Sequence, residues 1–214
     1  MTEIAFYVEG GGDTTQQKAE LRVGFDGLLA SAKSKATAKR LRWTLRCVGG
    51  RRATYEALTN AMRTNPDAIN VLLVDSEDPV APDTGDPARD AAARVAHLRQ
   101  RDGWDLSATR AERVHLMVRC MEAWIVADPD ALAAYYGQGF APNALPARPN
   151  LEEEPKPDVK DKLARATRHT QKGEYRKIRH ASQLLQRINP ARVAQRCPRF
   201  ASLPHSLEQI IEAA

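Results

Sequence analysis

Four acidic residues stand where two apolar runs stop. "FYVEGGGD" ends its run at Glu9 and passes at once into Gly10, Gly11 and Gly12. "LLVDSEDP" ends its run at Asp75, with Glu77 and Asp78 just behind. Carboxylates are hard oxygen ligands, and Mg2+ or Mn2+ needs only a few of them because it keeps several waters. An ion so held polarises a phosphodiester and stabilises the charge that develops on cleavage. Glycines next to such a site let backbone and phosphate come close. A phosphate-cradling loop is the competing reading of "EGGGDTT". That loop needs a Lys-Ser/Thr pair after its glycines; Asp13-Thr14 stands there instead, and aspartate repels phosphate. The dinucleotide fingerprint G-x-G-x-x-G fails too, because Thr15 takes the place of its last glycine. The run from Asp75 to Pro79 also reads as a plain solvated turn, and residues alone leave both readings open.

Distant carboxylates meet only if strands bring them to one rim. "IAFYV" (4–8), "LRWTLRCV" (41–48), "AINVLLVD" (68–75) and "RVHLMVR" (113–119) read as strands. The third is continuously apolar, which fits a central strand covered on both faces. Helices are predicted between them. One runs from Thr14 to about Lys33, with Leu21, Phe25, Leu28 and Leu29 at helical spacing. A second covers 53–64 and closes at Asn65-Pro66, and a third covers 86–102 with Pro87 in its first turn. "CMEAWIVAD" (120–128) follows the fourth strand, with Met121, Trp124 and Ile125 on one helical face, and 129–136 makes one more short helix. Such alternation indicates an α/β fold with a mostly parallel sheet and helices on both faces. Ligands of open α/β sheets collect at the carboxyl ends of the strands. The expected division is an α/β core over 1–136, a proline-rich connection over 137–157 and a basic helical extension over 158–214 packed on the core. Short helices are expected over 158–168, 176–188, 190–197 and 203–213, with Leu184, Leu185, Ile188 and Val193 turned toward the sheet.

The net charge is +5 over 214 residues, and it is unevenly spread. Lys33, Lys35, Lys39, Arg40, Arg42, Arg46, Arg51 and Arg52 follow one another with no acid among them. Residues 158–200 hold twelve basic residues against Asp158, Asp161 and Glu174. Two basic segments around an acidic one suit a polyanion, nucleic acid first, or else a solvated basic surface. Lys39, Arg40, Arg51, Arg52, Arg176, Lys177 and Arg179 are the candidate phosphate contacts. No apolar run reaches the length of a membrane-spanning helix, and the N-terminus lacks the basic head of a signal peptide. Cys47, Cys120 and Cys197 are far apart and odd in number, which suits a reducing cytoplasm and inert buried thiols. Trp124 reads as core. Tyr175, within "EYRK", reads as part of a basic helix rather than as a nucleophile.

"VEG" closing the first strand and a D-x-D-like element closing the third resemble the TOPRIM fold of topoisomerases, bacterial primases and OLD-type nucleases. "FYVEGGGD", "LLVDSED", "HLMVRCMEAWIVAD" and "YRKIRHASQLLQRI" resemble, more closely, a TOPRIM-like family catalogued as domain of unknown function 4276. Its best understood member is the effector RNase of the PARIS phage-defence system, which is released by an ATPase partner. The resemblance covers most of the chain. It implies a Mg2+- or Mn2+-dependent nuclease acting on RNA or tRNA, with Glu9 as acid/base or ligand and Asp75 as the first aspartate of D-x-D. Glu77 stands where a second aspartate is usual, and Asp78 is its substitute. Glu122 and Asp128 match an "E-x-W-x-x-AD" element that either completes the acidic site or orients the helix. The resemblance also implies an ABC or AAA+ type ATPase partner and a homodimer. The rival expectation is a catalytically weak binding or sensing subunit of an ATPase complex; a third is an RNA-binding module without chemistry.

Overall fold

A computed structural model describes residues 2–214. Strands β1 (Glu3–Glu9), β2 (Arg42–Gly49), β3 (Ile69–Asp75) and β4 (Val114–Met117) form one parallel sheet in the order β2-β1-β3-β4. The α/β class expected from the alternation is the fold observed. Ten helices surround the sheet among the described residues: α1 (Thr15–Leu28), α2 (Ala30–Ala38), α3 (Arg51–Thr64), α4 (Pro87–Asp102), α5 (Glu122–Val126), α6 (Pro129–Tyr136), α7 (Lys156–Thr167), α8 (Lys177–Leu185), α9 (Pro190–Arg196) and α10 (Pro198–Glu212).

The pleat sorts the strand residues between two cores, because successive side chains point to opposite faces. Ile4, Phe6 and Val8 of β1 and Ile69, Val71 and Leu73 of β3 join one apolar cluster with α1, α2, α5, α8 and α10. Ala5 and Tyr7, with Leu72 and Val74, join the other, against Leu58 of α3 and Leu98 of α4. All seven residues of β3 are buried, as its unbroken apolar run predicts. The second core is small. The first draws residues from Ile4 to Ile211, so the C-terminal helices share a core with the first strand.

Two elements differ from expectation. The helix predicted from Thr14 to Lys33 bends at Leu29 (φ −99°, ψ 19°) and continues as α2. Consecutive residues of a straight helix point about 100° apart. The bend sinks Leu28 and Leu29 into the core together. The last helix begins at Pro198 rather than Leu203 and runs through Pro204. Pro204 reads as a start because it lacks an N–H to give, but Pro198 already fills the first turn.

Candidate active site

The strand order places a topological switch at the carboxyl ends of β1 and β3. The chain leaves β1 for β2 on one side and returns from β2 to β3 on the other. In open α/β sheets the crevice at this point is the usual ligand site. Glu9 is the last residue of β1 and Asp75 the last of β3.

Behind Glu9 the chain must turn from strand to helix. Gly10, Gly11 and Gly12 have φ of +124°, +100° and +65°, a region that side chains disfavour. A Cβ on Gly11 would lie 3.0 Å from Lys18 Cα. Thr14 then caps α1 by accepting from the Gln17 N–H, and the Gln17 Oε1 in turn accepts from the Thr14 N–H. The glycines therefore have a full backbone reason to be glycine.

One carboxylate oxygen each from Glu9, Asp75 and Glu77 lie within 4.8 Å of one another. Glu9 Oε2 accepts from the Asp75 backbone N–H (3.2 Å) and from the Arg51 guanidinium (3.1 Å). Asp75 Oδ1 accepts from the Met121 N–H (2.8 Å). Asp75 Oδ2 faces two ammonium groups, Lys156 Nζ at 3.5 Å and Lys177 Nζ at 3.6 Å, and Lys156 also bonds Glu77. Burial pushes the Glu9 carboxyl above its ordinary range, and Asp75 adds to the rise against the pull of Arg51. Burial raises Asp75 as well, opposed first by Lys177. Burial opposes the Lys177 charge, but Asp75, Glu122 and Glu9 outweigh it and hold the ammonium above its usual range. The donor set is all oxygen and compact, which suits a hard divalent cation; the lysines supply the compensating charge in this structure.

Glu77 reaches the cluster through an unusual turn. Its φ is +64°, and that of Arg119, across from it, is +61°. The Glu77 N–H donates to the Arg119 carbonyl, and the Ser76 hydroxyl accepts from the Arg119 N–H (2.7 Å). A non-glycine residue at such φ is costly and persists where its surroundings over-determine it.

The other candidate residues scatter. Asp78 is exposed and pairs with Arg101 at 2.9 Å. Asp128 caps α6 through the Ala131 N–H and accepts from the Asn189 N–H, so it ties two helices together outside the acidic cluster. Glu122 is buried; its Oε1 accepts from the Tyr175 hydroxyl (3.3 Å), and its Oε2 has no partner among the described residues. Arg51 belongs to the acidic site: it bridges Glu9 to Asp102 (2.6 Å) and lies over the Trp104 ring. Lys177 belongs there too. Lys39 donates to the carbonyls of Ile211 and Glu212 at the end of α10. Arg40, Arg52, Arg176 and Arg179 are exposed, with Arg52 paired to Glu56. Tyr175 is buried, outside any helix. The three thiols are buried, and burial raises Cys47 and Cys120 to about 12.

Lys156 escaped the sequence reading. It sits between Pro155 and Pro157 in a stretch that looks like a connecting loop, and only the fold carries it to Asp75. The local signal is a lone lysine fixed by two prolines at the start of α7.

The family model described as "Domain of unknown function (DUF4276)" matches residues 8–208. No curated protein and no solved structure matches the chain. No helix among the described residues is long and apolar enough to cross a membrane.

Proposed function

The chain belongs to the DUF4276 family, and on that premise we propose that it is a TOPRIM-like, metal-dependent nuclease that hydrolyses phosphodiesters of RNA, tRNA in particular. The observation that carries this reading is the convergence of Glu9, Asp75 and Glu77 within 4.8 Å at the switch point of the sheet. These three residues would hold Mg2+ or Mn2+. Such an ion, when bound, polarises the phosphodiester and offsets the charge of the leaving oxygen. Arg51 fixes the Glu9 carboxylate against β3 through its bonds to Glu9 and the Asp75 carbonyl. With a cation held by the carboxylates, Lys156 and Lys177 would be available to meet phosphate oxygens instead. Arg52, Arg176 and Arg179, all exposed, supply the sequence-independent grip on the backbone. The same reading makes the protein a phage-defence effector held by an ABC or AAA+ type ATPase.

The test is cleavage of mixed tRNA and of plasmid DNA by the purified protein with Mg2+, with Mn2+ and with EDTA. Cleavage of tRNA is expected with metal alone, and Glu9→Gln and Asp75→Asn should each lower it by at least about 100-fold, the scale of a lost acid-base or charge-stabilising group. Equal rates in wild type and Glu9→Gln would reject this mechanism.

A second reading rests on the lysines. Lys156 and Lys177 already neutralise the carboxylates, as in an ion-paired structural node, and the domain would then be a catalytically weak binding or sensing subunit of an ATPase complex. It predicts that neither Mg2+ nor Mn2+ raises the melting temperature, whereas a native metal site is stabilised by mass action.

A further inference from the structure

At the opposite end of the sheet, before β3 and β4 begin, lies a cavity of about 360 Å³. The seven residues of β3, at about 3.3 Å each, put it roughly 20 Å from the carboxylates. Its volume is within the range of small-ligand sites, about 300–1,000 Å³. Arg63, Arg110 and Arg113 line it, and Met62, Pro66 and Ala68 form an apolar wall.

The state of the arginines is the informative part. Arg51, Arg94, Arg196 and Arg199 each spend their guanidinium on a carboxylate or a carbonyl. The Arg110 and Arg113 guanidiniums have no hydrogen-bond or ion-pair partner among the described residues, although Arg113 is half-buried. Burial, and then the Arg110 charge, hold Arg113 below its ordinary range, and the nearby Glu112 carboxylate, which makes no ion pair with it, offsets them only in part. The acid on the cavity wall, Asp105, is already engaged by the Ser107 N–H at 2.9 Å. Asn70, on the same wall, is buried with its Oδ1 unpartnered.

We propose that this cavity is a second binding site, which takes a phosphate monoester of nucleotide size. Arg110 and Arg113 grip the phosphate, for which a planar guanidinium fork is the best-matched side chain. The Met62, Pro66 and Ala68 wall accepts the organic body. A bare phosphate would leave that wall and most of the volume unused. The site is independent of the nuclease reading, since it shares no residue with the acidic cluster.

The experiment is calorimetry and thermal shift on the full chain with AMP, GMP, CMP, UMP, adenosine and inorganic phosphate at millimolar concentrations. At least one nucleoside monophosphate should bind and raise the melting temperature, with adenosine silent and inorganic phosphate weaker. Arg110→Ser, an exposed position, should weaken that binding by about tenfold, the worth of one charge-assisted contact. Arg113→Gln should do the same, and circular dichroism will verify that both variants fold. Glu9→Gln should bind unchanged. Silence of all four nucleotides, phosphate binding as tightly as they do, or full binding by both arginine variants would each overturn the proposal.

Discussion

Asp75 is 1% exposed and faces two ammonium groups, so its charge depends on them. Removing the partner of a buried charge costs about 3–5 kcal/mol. Lys156→Met with Lys177→Met should therefore destabilise the fold on that scale, and Mn2+ should restore part of the loss. Urea unfolding with and without the ion measures both. Recovery in the double variant larger than the shift in wild type is the expected outcome, and no recovery would argue against cation binding by Glu9, Asp75 and Glu77. His115 offers a separate test. Burial, with Arg94 beside it, pushes its pKa down to about 3. The imidazole stays neutral in the fold but charges in the unfolded chain below about pH 6.5. Its neutral burial costs nothing above that pH. Stability then falls by about 1.4 kcal/mol per unit as the pH drops from about 6.5 to about 3. His115→Gln should give a shallower acid limb than wild type in urea titrations across that window.

At the scale of elements, α8 lies across α1 at two glycines. A Cβ on Gly24 would come 2.8 Å from the Ser182 Cα and carbonyl oxygen, which are backbone and have no rotamer to escape into. Gly24→Ala should cost about 1–3 kcal/mol through overpacking, read as a lower urea midpoint. The same change should shift Lys177, the first residue of α8, away from Asp75 and lower any metal-dependent cleavage. Three strands were legible as short apolar runs and β2 by its alternation of polar and apolar residues, and "AINVLLVD" carries its burial on both faces in its composition. The ends of β1 and β3 were legible for the same reason, and with them Glu9 and Asp75. The bend at Leu29 was not, since helical spacing continues through it and only packing against the core selects it. Lys156 was not either, because a contact across 81 residues leaves no local periodicity. Arg51 looked like one more member of a basic run; its place beside Glu9 follows from the β2–α3 turn rather than from its neighbours in sequence.

For the whole molecule, the larger core cannot be completed by the first half of the chain. Phe200 meets Trp124 edge-on at 4.8 Å, and Leu184, Leu203 and Leu207 are buried in the same cluster as Phe6 and Phe25. Residues 1–136 expressed alone should lack a cooperative thermal transition, because α1, α2 and α5 would expose the apolar face that α8 and α10 cover. A sharp melt of that fragment by circular dichroism would refute this.

The lysines opposite Asp75 have a consequence in time. A ribosome delivers Glu9, Asp75 and Glu77 early, while Lys156 follows about 80 residues after Glu77 and Lys177 later still. Domains generally fold as units, and here Arg51 precedes Asp75 and Glu77 in the chain, but the two ammonium groups that face Asp75 do not. The charge balance of the acidic rim and the closure of the larger core therefore wait on the same late-made helices, so the site and the fold reach completion together.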